Sequence, residues 1–257
     1  MRTELKGRPR DERMKVVLPK LACEAPWNGY RRLTDAVCRG FEHIGEGAVR
    51  RLMKLMDLRV KPRRRHRKRS NPLMVVPGLR SERANHVWCM DFMKDATSDG
   101  RALRILSIVD EYTRECLGLD VARRFKAADV VAVLERIIGE RGKPANLRSD
   151  NGPEFVATSV MQWADGRGVR LVRSEPASPW QNPFNESFNG TARREFTERE
   201  LFGSLLEAKV LCEVYRWWYN NRREHSRIGK MTPVNYAEMV RWTGRVQPGP
   251  AVGLQPA

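Results

Sequence analysis

The chain has 257 residues, enough for one large or two modest domains with a real hydrophobic core, and it excludes a mini-protein held together by staples. Its net charge of +17 is unevenly placed: residues 1–80 hold 22 basic and 8 acidic side chains, the remaining residues 26 and 23. That asymmetry describes a polyanion-binding front end on a nearly neutral body. No run approaches 18 consecutive apolar residues and the start, Met-Arg-Thr-Glu-Leu-Lys, lacks the apolar core of a signal peptide, so a soluble, cytoplasmic protein is expected. The five cysteines (Cys23, Cys38, Cys89, Cys116, Cys212) are odd in number and never spaced as CxxC, and they read as ordinary buried thiols. The four histidines are too dispersed to complete a ligand set with them.

Apolar residues recur at helical spacing over 11–24 (Met14, Val17, Leu18, Leu21), over 29–39 (Tyr30, Leu33, Ala36, Val37) and over 49–56 (Val49, Leu52, Met53, Met56). Three short Arg-rich helices with a turn at Gly45 and Gly47 fit a helix-turn-helix-like unit over 1–60. Its candidate DNA contacts are Arg31, Arg32, Arg50 and Arg51; the bland alternative is a basic bundle that only packs or dimerises. The next stretch, Lys61, Pro62, Arg63, Arg64, Arg65, His66, Arg67, Lys68, Arg69, cannot form a core. It reads as a basic linker over 61–80 whose like charges repel unless phosphates neutralise them.

From about residue 85 the pattern changes. His86–Met93, Leu103–Asp110 and Arg114–Val121 are β-branched and apolar, separated by turn residues, and predict a three-strand meander. A helix over Ala127–Arg141, a strand over Ala145–Ser149, a helix over 153–167, a strand over Val169–Arg173 and long helices from 185 to about Arg223 follow. The order βββαβαβαα is a mixed α/β sheet covered by helices, spanning 81–240. The Pro- and Gly-rich tail over 241–257 is expected to be disordered.

Three carboxylates stand out. Asp91 lies inside the first strand, where an unpaired charge is costly. Asp150 sits where a short strand gives way to Asn151-Gly152, and Glu186 opens a helix. Each alone reads as structural: an ion-pair partner, a turn residue, a first-turn helix acid. In this order on this element pattern they read together as ligands for hard divalent cations in an in-line displacement.

The segments Ala84–Phe92, Ile108–Glu115, Ser149–Phe155, Ser178–Asn182 and Glu186–Gly190, with 35 residues between Asp150 and Glu186, resemble bacterial insertion-sequence transposases that share the retroviral-integrase catalytic core. They are similar in particular to the downstream reading-frame product of two-frame elements. The likeness extends through Tyr219–Ser226 and Met231–Pro233 and back to Gly29–Leu33. It implies an RNase H-like core, with Asp91, Asp150 and Glu186 as catalytic acids binding two Mg²⁺, for which Mn²⁺ can substitute. It also implies phosphoryl transfer on DNA, from water in cleavage and from a 3′-hydroxyl in strand transfer. The partners it implies are double-stranded DNA, further copies of the chain, and an upstream-frame DNA-binding protein or fusion. Arg193, seven residues after Glu186, falls on the same helical face, where similar enzymes place a basic residue against DNA. Glu195 and Asp110 are expected to be structural. The chain departs from the pattern at Pro183, where relatives commonly have Gly, and at Glu224, where many have Pro; the first is expected to restrain the loop before Glu186. The reading from a different class is a regulator that occupies element ends without catalysis; a structure-specific nuclease would leave the basic front end unexplained.

Overall fold

A computed structural model describes residues 9–25, 28–58, 79–150, 152–173 and 183–243. The chain divides into two units, Met1–Arg69 and Ser70–Ala257. Lys61, Arg63, Arg64, Arg65, Arg67, Lys68 and Arg69, the segment Ser178–Asn182 and the tail from 244 lie outside the described residues.

In the first unit, α1 (Pro9–Glu24), α2 (Tyr30–Gly40) and α3 (Glu46–Leu55) pack Met14 and Leu18 against Leu33 and Val37 and against Val49, Leu52 and Met53. The apolar stripes therefore meet as their spacing predicts. Gly45 caps α3, but Gly47 lies inside its first turn rather than in the connecting turn. Arg51 on α3 donates to the buried Asp11 carboxylate of α1 at 2.5 Å, a tie that stabilises the three-helix arrangement.

The second unit is built on a five-stranded sheet of β1 (Val87–Ala96), β2 (Ala102–Asp110), β3 (Cys116–Ala122), β4 (Asn146–Ser149) and β5 (Arg170–Arg173), in the order β3-β2-β1-β4-β5. The first three strands form the antiparallel meander and β4 and β5 add in parallel. Both faces are covered, so β1 reads as an almost unbroken apolar run whose side chains alternate between two cores. Trp88 and Met90 pack with Leu106 and Ile108 under α4 (Ala127–Arg141) and α6 (Thr158–Arg167). Cys89 and Met93 pack with Leu103, Ile105 and Val109 under α7 (Pro183–Ala192) and α8 (Leu205–Asn221). Ser204 caps α8, accepting from the Glu207 amide, while Glu207 accepts from the Gly203 amide. A 3₁₀ turn (Ser226–Ile228) and α9 (Pro233–Thr243) follow.

Several sequence expectations change. The helix expected over 153–167 is two, α5 (Pro153–Val156) and α6, because Ala157 adopts an extended conformation between them. Arg114 belongs to the β2–β3 turn, with φ +66°, rather than to the third strand. The helix after Ala192 widens into a π turn over Arg193–Thr197 before the break that precedes α8. Cys89, Cys116 and Cys212 are buried, but Cys23 and Cys38 are exposed. No helix among the described residues is long and apolar enough to cross a membrane.

Candidate active site

Asp91 faces α7 because it shares the side of β1 with Cys89 and Met93. Its carboxylate accepts from the Phe92 amide at 2.7 Å and from Asn189 Nδ2 at 2.8 Å. Asn189 in turn accepts from Ser107 Oγ at 2.9 Å, and Ser107 is the cross-strand partner of Asp91 on β2. One asparagine thus ties two strands to α7. Burial pushes Asp91 above the ordinary carboxylate range and the charge of Asp150 adds to this, while the Phe92 amide, Asn189 and Arg193 pull it back.

Asp150 is the first residue past β4. The β1/β4 register pairs Cys89 with Arg148, so two further steps set Asp150 beside Asp91. Its carboxylate is exposed and accepts from the Gly152 amide at 3.0 Å, an Asx-type turn that fixes the chain as it leaves the strand.

Glu186 lies in the first turn of α7 and is exposed. It precedes Asn189 by three residues, so both occupy neighbouring positions on one helical face. Asn189 therefore anchors to Asp91 the helix that carries Glu186. Among the described residues no group of three or more His, Cys, Asp or Glu side chains stands close enough to hold one metal ion. The structure brings Asp91 and Asp150 together and leaves Glu186 outside a closed three-acid cluster.

Arg193 is exposed at the start of the π turn, near enough for its charge to stabilise the Asp91 carboxylate. Glu195, two residues on, is buried and receives Arg223 through two bonds of 2.7 and 3.1 Å. Asp110 is also buried and accepts from the amides of Asn85, Tyr112 and Thr113, so it folds the β2–β3 turn. In the first unit, the guanidinium groups of Arg31 and Arg50 both lie over the Tyr30 ring, at 5.6 and 5.7 Å, and Arg32 reaches Asn28 Oδ1 at 3.5 Å. Arg51 is engaged by Asp11 and Arg31 lies 3.6 Å from Glu46, so two of the four candidate DNA contacts already have an acidic partner.

The sequence reading missed Asn189 and Ser107. The spacing of Glu186 and Asn189 was a usable signal for the first, whereas Ser107 emerges only from strand register.

With this geometry in view, the comparisons are specific. The integrase core domain family matches residues 81–179, and a second integrase core domain model matches 167–233. An insertion element IS407 protein from Burkholderia multivorans is 35% identical over 88% of this chain and 81% of its own length. The chain belongs to the insertion-element transposases with an integrase core. An insertion element IS476 protein from Xanthomonas euvesicatoria is 34% identical over 83% of this chain, which spans only 61% of that relative. The transposase InsK of IS150 from Escherichia coli is 25% identical over 81% of this chain and 76% of its own length. Among solved structures, a simian T-cell lymphotropic virus intasome in complex with a PP2A regulatory subunit gives a TM-score of 0.57 at 16% identity, covering 93% of this chain and 79% of that one. The HTLV-2 integrase catalytic core domain in complex with magnesium gives 0.51 at 15%, covering 62% and 99%. These likenesses establish the fold, the RNase H-like mixed sheet preceded by a helical region.

Proposed function

We propose that the chain is a DDE-type DNA transposase that cleaves at insertion-element ends and transfers the freed 3′-hydroxyl into target DNA, with Asp91, Asp150 and Glu186 as its catalytic acids. The observation that carries this reading is the pairing of Asp91 with Asp150, with Asn189 joining Asp91 to the helix of Glu186. The two facing carboxylates fit a divalent cation: both are hard oxygen donors, and the burial and the neighbouring Asp150 charge that raise Asp91 are both offset by a 2+ charge. Two Mg²⁺ ions, or Mn²⁺ in their place, would be held by Asp91, Asp150 and Glu186 and supply neutralisation of the charge that builds on the phosphate in an in-line displacement.

The chain's own groups do the rest. Asn189 fixes the orientation of the Asp91 carboxylate, and Arg193 stands where a DNA phosphate would pass the acids. The helices with Arg31, Arg32, Arg50 and Arg51 and the basic segment Lys61–Arg69 hold double-stranded DNA through phosphate contacts, which position without reading sequence. Within this reading, residues 1–60 form the DNA-binding domain, 61–80 a basic linker and 81–240 the catalytic core. The chain works in the cytoplasm at the nucleoid, as a homo-oligomer on DNA and with an upstream-frame DNA-binding partner. Self-association is supported by the row Leu206, Val210, Val214 and Trp217, exposed on the side of α8 turned from the core.

The competing reading, a regulator that occupies element ends without catalysis, draws on Glu186 standing outside any three-acid group. One assay separates them. Asp91→Asn, Asp150→Asn and Glu186→Gln each keep side-chain shape and remove a ligand charge, and each should abolish Mg²⁺-dependent joining of pre-cleaved end DNA on gels. Near-normal joining by any one variant removes that residue from the triad, and no joining by the wild type favours the regulator.

A further inference from the structure

The segment Ile108–Glu115 carries the family resemblance, yet it contributes no acid to the proposed triad. It forms the β2–β3 turn, and it is built at a cost. Arg114 takes a left-handed conformation at φ +66°, which L residues other than Asn and Asp rarely adopt. Glu111 and Arg148 are almost completely buried. Glu111 Oε2, Arg148 Nε and Arg114 Nε have no hydrogen-bond partner among the described residues. Burial pulls the Arg114 guanidinium below its ordinary value, and the positive charge of Arg227 adds to this. Apolar side chains would serve a merely structural turn at lower desolvation cost.

What these groups touch explains the expense. Arg148 Nη1 donates to Glu111 Oε1 at 2.6 Å and its Nη2 donates to the Leu79 carbonyl at 3.0 Å. Arg148 lies on β4 two residues before Asp150. The Arg114 guanidinium lies over the Phe184 ring at 4.1 Å, and Phe184 lies on α7 two residues before Glu186. The turn itself is tied to β1 by the Glu111 amide, which donates to the Val87 carbonyl at 3.0 Å, and it is braced by the three amides that Asp110 receives, from Asn85 ahead of β1 and from Tyr112 and Thr113 within the turn. The turn over Glu111–Glu115 therefore grips the strand that delivers the second acid and the helix that delivers the third.

We propose that the β2–β3 turn is a positioning device for the active site: Glu111, through Arg148, sets Asp150, and Arg114, through Phe184, sets Glu186. It rests on the assignment of those two acids. Neither Glu111 nor Arg114 touches substrate; they are positioning residues that fix the spacing of the acids across the sheet. The same turn supplies its own control. Glu115 accepts from Arg141 at 2.5 Å, a half-buried tie to the end of α4 that leads to no acid.

The test uses the full chain and the variants Arg114→Lys, Glu111→Gln, Phe184→Leu and Glu115→Gln. Arg114→Lys keeps the charge and loses the planar stack, and Phe184→Leu removes the ring face without entering the buried turn. Two quantities are read: the Mg²⁺ concentration at which thermal stabilisation is half complete, and the Mg²⁺ concentration at half-maximal joining of pre-cleaved DNA. The expected result is a rise of about tenfold in both midpoints for Arg114→Lys, Glu111→Gln and Phe184→Leu, the scale on which residues that orient metal ligands act on metal affinity. Glu115→Gln should lower the melting temperature as much and leave both midpoints within about twofold of wild type. Midpoints that move equally in all four variants, or in none, overturn the proposal. Wild-type protein that binds Mg²⁺ and never joins DNA rejects the proposed reaction, and the thermal midpoints still decide the role of the turn.

Discussion

Two glutamates nine residues apart on one continuous helical stretch should respond oppositely to removal. Glu195 is buried in the π turn and its carboxylate receives both Nε and Nη2 of Arg223, at 2.7 and 3.1 Å, with both side chains less than a tenth exposed. Burial pulls the Arg223 guanidinium down, and the hydrogen bond and charge of Glu195 more than reverse this. Glu195→Ala strands a buried cation, a loss of about 3–5 kcal/mol. For a unit of this size each kcal/mol moves the melting temperature by roughly 2–4 °C, so a drop of about 6–20 °C is expected in a calorimetric scan. Glu186 is exposed, and Glu186→Gln should change stability by no more than about 0.5 kcal/mol while abolishing joining. Replacing both partners, as Glu195→Leu with Arg223→Met, should recover most of the lost stability, because two apolar groups leave no charge unpaired. A Glu195→Ala protein that melts within about 2 °C of Glu186→Gln would refute the structural assignment of the pair.

Stability should fall as pH rises from 5 to 8, because burial holds Asp110 at about 6 and Glu111 at about 7, above their ordinary values of 3.8 and 4.5. Raised folded-state values mean that this contribution is complete below about pH 4 and lost as pH climbs through 6 and 7; urea midpoints that increase steadily from pH 5 to 8 would contradict it. Pro183→Gly should lower single-turnover joining and cost about 0.4–1 kcal/mol, because Pro183 is the first residue of α7, where a fixed φ pre-organises the helix and the missing amide is of no consequence. This reverses the expectation of a restrained loop, and a rate at or above wild type would restore it. Deleting residues 1–70 should weaken DNA binding and flatten its salt dependence, since a protein neutralising Z phosphates shows a slope of roughly −0.9Z; an unchanged slope would move the main DNA contact into the core.

The sheet was legible because its strands announce themselves twice, by composition and by alternation. Trp88 and Met90 fill one core and Cys89 and Met93 the other, and the β1–β2 turn carries the breakers Thr97-Ser98-Asp99-Gly100. Helix α4 was equally plain, ending at Gly142 with φ +79°. The break at Ala157 was not legible, since alanine favours helix and only the tertiary path makes it extended there. Nor was the π turn, whose wider hydrogen-bond pattern has no local signature in Arg193–Thr197. Asp91 and Asp150 stood out because a carboxylate in an apolar strand and one at a strand end are both exceptions to be explained. The contacts of Glu111 with Arg148 and of Arg114 with Phe184 join residues 37 and 70 positions apart, which no periodicity reports.

The three acids also differ in how firmly the fold holds them, and the order follows from solvation. Asp91 sits between paired strands and pays for its burial with two hydrogen bonds, from Phe92 and Asn189, that fix its direction. Asp150 keeps one backbone amide and open solvent, and Glu186 is exposed on the first turn of a helix. A carboxylate that must be desolvated needs a rigid setting, because a misplaced buried charge is costly. The two carboxylates that, on the proposed reading, admit a DNA strand stay at the surface, where their own solvation imposes no position. Their placement must then come from behind, through Arg148 and through Asn189 and Phe184, each one turn or less from the acid it serves. On the proposed reading, cation binding and fold stability would be coupled through Asp91: raised by burial and by its neighbour, its carboxylate favours positive charge between β1 and the end of β4.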